Sequence, residues 1–135
     1  MENRDFIGYG ENPPNIVWPN KAKIAISVVV NYEEGSEYSL LDGDTHHETN
    51  NEVPSPVPLN ERDLFNESFF EYGSRVGVWR LLNLFERYGV KTTFYCCAVA
   101  LERNPEVARA IVERGHEVCG PVSYTHLTLP TILLV

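Results

Sequence analysis

The run Ile24-Ala25-Ile26-Ser27-Val28-Val29-Val30, closed by Asn31-Tyr32-Glu33-Glu34-Gly35, limits the fold more than any other stretch. β-Branched side chains crowd the turns of a helix and pack well on a pleated surface, so the run predicts a buried strand. Two adjacent carboxylates and a glycine then stand where that strand leaves the core. Open parallel sheets and barrels place their chemistry at the carboxyl ends of strands. The acid pair is therefore a candidate acid/base or metal site, with a solvated turn as the alternative.

The rest of the chain supplies the partners such a strand needs. Residues 1–23 are rich in Gly, Pro and Asn with Phe6, Ile7, Tyr9 and Trp18 interspersed, which predicts an irregular arm laid against the domain. Residues 36–68 form a long polar connection in which Pro54, Pro56 and Pro58 exclude helix. Ser74 is placed to cap a helix ending at Tyr88, with Gly89 as its stop. Val76, Trp79, Leu82 and Phe85 form its apolar stripe, which Leu81 and Leu84 broaden. Thr92 to Val99 predicts a second buried strand. Asn104-Pro105-Glu106 starts a helix with a side-chain cap, a proline at the first helical position and an acid in the first turn. Val107, Ala108, Ile111 and Val112 face inward along it, Gly115 ends it, and Glu117-Val118-Cys119 begins a third strand. Strands alternating with helices imply βαβ units and a parallel sheet.

Composition narrows the function. The 135 residues suit one domain but are short for a whole (β/α) barrel. A net charge of −8 with no basic run argues against nucleic-acid or membrane-surface partners. No stretch is long and apolar enough to span a bilayer, and Met1 to Asp5 does not resemble a secretory leader, so a cytoplasmic location is expected. Cys96, Cys97 and Cys119 are odd in number and lack metal-knuckle spacing, which predicts buried reduced thiols.

From Val122 the character changes. Val122 to Thr131 contains no acid and no Lys or Arg, and Ile132-Leu133-Leu134-Val135 closes on an apolar cluster. The segment resembles a translated transposase adapter from DNA library preparation, read in frame. Residues 121–135 are thus expected to be a non-native tail, and no role falls to His126. The domain organisation expected is an arm over 1–23, a partial catalytic domain over 24–120, and this tail.

Four pieces together carry a resemblance: Arg4-Asp5-Phe6-Ile7-Gly8-Tyr9-Gly10, Val30-Asn31-Tyr32-Glu33-Glu34-Gly35, Glu71-Tyr72-Gly73-Ser74-Arg75 and Gly115-His116-Glu117-Val118. From Arg4 to Gly120 the chain resembles the polysaccharide deacetylase (NodB-homology) superfamily, and within it the allantoinase-like branch. The resemblance implies an α/β fold, the N-terminal portion of a distorted (β/α) barrel with parallel strands, here truncated. It also implies hydrolysis of carbon–nitrogen bonds other than peptide bonds. The second piece stands where the wider family has Thr-Phe-Asp-Asp-Gly. By position Glu33 takes the catalytic base role and Glu34 the ligand role, toward substrate or metal.

Two departures bear on this. Each Asp has become Glu, which carries the carboxylate out by ~1.5 Å, whereas metal–oxygen bonds tolerate only a few tenths of an ångström. The first metal histidine of the family's second motif would fall at position 121, where this chain has Pro. The allantoinase-like branch resembles a metal-free variant, so no cofactor is expected on that reading. A divalent metal such as zinc is expected if the chain is deacetylase-like. The expected partner is a small-molecule substrate, with a homo-oligomer left open.

The remaining candidates are weaker. Glu37 could order a substrate amide or urea group, as could Asp42 and Asp44, but each also suits a solvated loop. His46-His47-Glu48 has a metal-like composition, yet adjacent histidines do not reach one ion from a strand. His116 is expected to pack or to bond backbone. Arg75 could bind an anion or pair with Glu71 across one helical turn. The functions in play are an allantoinase-type hydrolase, a metal-dependent de-N-acetylase of chito-oligosaccharides, and a non-catalytic carbohydrate- or ureide-binding relative. The 135-residue chain by itself is expected to be inactive and prone to aggregate.

Overall fold

The computed structural model describes residues 4–49 and 54–120. Three parallel strands, β1 (Val29–Tyr32), β2 (Thr93–Cys96) and β3 (Glu117–Cys119), lie in the order β1-β2-β3. Val29 pairs with Thr93 and Thr93 with Glu117; one step on, Asn31 pairs with Tyr95 and Tyr95 with Cys119. Helices occupy the crossovers, as parallel pairing requires. They are α1 (Leu64–Tyr72), α2 (Val78–Tyr88), α3 (Ala98–Arg103) and α4 (Pro105–Glu113).

Asp63 starts α1, accepting from the N–H groups of Phe65 and Asn66 at 3.0 and 3.1 Å. The helix then passes through one wide π turn, Gly73–Gly77, and continues as α2 to Gly89, whose φ of 63° ends it. The helix thus begins well before Ser74, which sits inside the π turn with its hydroxyl bonded back to the carbonyl of Glu71. The prolines at 54–58 end far enough upstream to leave Asp63 free as a cap, so the expected loop over 36–68 closes early. Asn104 caps α4 as expected, accepting from the N–H of Val107. The residues expected to prolong β2 through Val99 turn into α3 instead.

The core lies between the sheet and α2, α3 and α4. Tyr32, Phe94 and Cys96 from the strands meet Val78, Leu82, Ala100, Leu101, Val107, Ala108 and Ile111 from the helices. Along each strand the burial alternates, as a period of two demands. Val30, Tyr32, Phe94, Cys96 and Val118 lie on the helix-covered face. Val29, Asn31, Thr93, Tyr95, Glu117 and Cys119 lie on the other, which no described helix covers.

Several expected burial patterns change for this reason. Ile24 and Ile26 precede β1, have no strand partner among the described residues, and are exposed, Ile26 to 79%. Val76, Leu81, Leu84 and Val112 of the helices are exposed. Phe6, Ile7 and Tyr9 of the arm are exposed rather than laid on the domain; Phe6 is met by the Arg4 guanidinium 4.7 Å above its ring. The three thiols are free, but only Cys96 is fully buried, and burial pushes its thiol up to about 12. Cys119, on the open face, is exposed. The tail over 121–135 lies outside the described residues.

Candidate functional site

The acid pair emerges at the carboxyl end of β1 and divides there. Glu33 stays exposed, continuing the alternation of Val29 and Asn31 on the open face. Glu34 turns the other way. Its carboxylate accepts from the N–H of Glu33 at 3.1 Å and lines a cavity of about 320 Å³ between the edge of β1 and the helix, with Asn31, Tyr32, Tyr72, Gly73, Arg80 and Leu81. Burial raises its pKa above the ordinary carboxylate value, and the nearby charges of Glu37 and Glu33 push the same way. The two carboxylates therefore do not share one cleft. The strand itself ends at Tyr32, and Glu33 opens a turn in which its carbonyl accepts from the N–H of Ser36 at 2.9 Å.

Gly73 makes the Glu34 position possible. A Cβ built on it would stand 2.7 Å from Glu34 Cγ and Cδ, well inside contact distance. Here the glycine is kept for close approach. Arg80 closes the cavity rim, donating to the Tyr72 hydroxyl at 3.0 Å.

Glu37 is tied to backbone, accepting from the N–H of Gly35 at 2.5 Å, and so holds the turn after Glu34. Asp42 pairs with Arg103 at 2.8 Å, and Asp44 accepts from the N–H of Ser39. His46 and His47 part company: His46 rests on the Tyr38 ring, while His47 is buried with Nδ1 2.9 Å from the Glu61 carbonyl oxygen. Glu48 accepts from the N–H groups of Tyr38 and Thr49. Arg75 pairs with Glu71 at 3.1 Å, the surface alternative. His116 packs against Phe85 and Phe94, and its Nδ1 accepts from the N–H of Thr92 at 3.2 Å. Burial, with Lys91 and Arg114 nearby, lowers its pKa and favours the neutral ring.

Among the described residues no three metal-ligating side chains converge. Glu34, expected from the resemblance to take a ligand role, is bonded to its neighbour's backbone and packed on a helix. The residues described here do not fit a metal centre.

Asn31 and Tyr95, which pair in register on the open face, were not singled out from the sequence. Both fall inside apolar strand runs; only the alternation of faces, with the register joining them, singles them out.

The comparisons with known proteins agree with this architecture. The sequence profile of the polysaccharide deacetylase family matches residues 67–132, running past Gly120 into the adapter-like segment and beginning after the acid pair. A Schizosaccharomyces pombe protein described as "putative polysaccharide deacetylase" is 47% identical over 87% of this chain and 38% of its own length. A solved Pseudomonas aeruginosa protein, "probable polysaccharide deacetylase", is 49% identical with a TM-score of 0.76, covering 88% of this chain and 40% of that one. A solved PuuE allantoinase is 45% identical with a TM-score of 0.75, covering 93% of this chain and 44% of that one. The chain belongs to the polysaccharide deacetylase family, and its sheet and helices form part of that family's (β/α) barrel. It spans well under half the length of these relatives.

Proposed function

We propose that the complete protein hydrolyses a non-peptide carbon–nitrogen bond in a small amide or cyclic ureide, in the manner of an allantoinase, with Glu33 as the general base. One observation carries this reading: Glu33 stands at the carboxyl end of β1 on the face without helices. In a (β/α) barrel the helices ring the outside, so the bare face is the inner one and its carboxyl end is the catalytic end. The resemblance to a solved allantoinase over 93% of the chain supports the ureide substrate class.

The chemistry needs a water, a base and donors for developing charge. The Glu33 carboxylate accepts a proton from water as the water oxygen attacks the carbonyl carbon. The carbonyl π pair moves to oxygen, giving an oxyanion. On collapse the carbon–nitrogen bond breaks, and nitrogen takes the bond pair and the proton held by Glu33. Glu34 supports this from behind, holding the strand end against the Gly73 turn.

A second reading, de-N-acetylation of chito-oligosaccharides, is favoured by the similarity to the two relatives described as polysaccharide deacetylases. Assaying the complete protein on both substrates separates the two. Allantoin turnover that survives exhaustive chelation supports the first reading. Acetate release from chito-oligosaccharide that chelation abolishes overturns it in favour of the second.

A further inference from the structure

We infer that Tyr95, with Asn31 beside it, donates to the oxyanion of the reaction proposed above; the inference rests on that reading. The strand register places Asn31, Tyr95 and Cys119 in one row across the open face. Glu33 continues the Asn31 side of β1, two residues further toward the carboxyl end, about 6.6 Å along the strand at the usual rise. Neighbouring strands lie about 4.8 Å apart. The two Cα positions are then about 8 Å apart, so a small substrate set between the side chains can meet the Tyr95 hydroxyl on one side and the Glu33 carboxylate on the other.

The two rows of this face are furnished differently. In the row further from the carboxyl end, Thr93 donates to Glu117 at 2.7 Å, so those polar groups satisfy each other. In the row next to Glu33, neither the Asn31 amide nor the Tyr95 hydroxyl forms a hydrogen bond among the described residues, and Tyr95 is 39% exposed. A phenol and an amide N–H are both donors at neutral pH. Set on strands rather than loops, they are held in place before charge develops, which is the condition for electrostatic stabilisation.

The step balances without a further reagent. The base holds the water proton, the oxyanion lies against the Tyr95 O–H and the Asn31 N–H, and the same proton leaves with nitrogen. Both donors keep their own protons throughout.

The test is steady-state kinetics of the complete protein on allantoin and on N-acetyl-chito-oligosaccharide, for wild type, Tyr95→Phe, Asn31→Ser and Glu33→Gln. Tyr95→Phe keeps the ring and removes only an unbonded hydroxyl, so its melting temperature should stay within a degree or two of wild type. The expected result is a fall in kcat of about 10²–10³-fold for Tyr95→Phe with KM within threefold, and a smaller fall for Asn31→Ser. If Glu33→Gln is inactive while Tyr95→Phe keeps wild-type kcat, this inference is overturned and the base assignment stands. A raised KM with unchanged kcat also overturns it, because the hydroxyl would then bind substrate and transition state alike. Wild type silent on both substrates overturns the functional reading and this inference with it.

Discussion

On one face of the sheet, Val30, Tyr32, Phe94, Cys96 and Val118 are held under helices; on the other, Val29, Asn31, Tyr95 and Cys119 stand without such cover. The first face packs mostly apolar side chains, with the Tyr32 hydroxyl buried among them and a cavity beside Glu34. Its end residue, Glu34, is absorbed into packing, its carboxylate bonded to the Glu33 N–H and fitted against a helical glycine. The second face carries the Asn31 amide and the Tyr95 hydroxyl, which make no hydrogen bond among the described residues, beside the bonded Thr93–Glu117 pair, and its end residue, Glu33, is exposed. Neighbours in sequence thus end in different surroundings, Glu33 exposed and Glu34 half-buried, as the chain turns away from the strand end. A family's adjacent acid pair need not mean that both acids do chemistry.

The comparison can be sharpened by adjacent substitutions in β2. Phe94→Ala, on the covered face, removes a fully buried ring and should cost about 3–5 kcal/mol in urea unfolding of the complete protein. Tyr95→Phe, one residue away, should move stability by less than about 0.5 kcal/mol. Equal losses at the two positions would break the distinction between the faces.

A smaller effect is expected at the helix–strand contact. Gly73→Ala forces Glu34 to leave its place and should destabilise by about 1 kcal/mol. Because the clash is with the Glu34 side chain, Glu34→Ala should relieve it, so the two losses should not add. Additive losses would mean that the glycine serves the π turn and not the carboxylate.

The smallest effect is a pH slope. The folded-state pKa of His116 lies below its unfolded value, since burial favours the neutral ring. Its contribution to stability is therefore complete above the unfolded value of about 6.5 and is lost as pH falls through the folded value. His116→Gln should flatten the stability profile just below pH 6.5; an unchanged slope there would assign it to other groups. Glu34 acts in the opposite sense, because its raised pKa favours the fold at low pH and loses that advantage as pH rises past the ordinary carboxylate range.

Much of this was legible in the residues. The alternation of apolar runs with capped periodic segments predicts the parallel sheet, and Asn104-Pro105, Gly89 and Gly115 mark helix ends that the structure keeps. Local chemistry specifies such ends. What could not be read was anything set by distant partners. The early start of α1 at Asp63 was hidden by the prolines before it. Ile24 and Ile26 look buried in sequence, but burial needs a neighbour, and the described residues supply none. The opposite placement of Glu33 and Glu34 depended on where the pleat ends, which no composition rule fixes. Tyr95 looked like core because aromatic residues in strands usually are; its register with Asn31 exists only once the strands pair.

The most direct measurement compares Glu33→Gln with Glu34→Gln in the complete protein, reading kcat on the substrate that wild type turns over. If the open face carries the chemistry, Glu33→Gln should lower kcat by about 10²–10⁴-fold, while Glu34→Gln should lower it by less than tenfold and act mainly on thermal stability. The reverse order, with Glu34→Gln inactive and Glu33→Gln close to wild type, would move the reaction to the cavity beneath the helix and contradict the account.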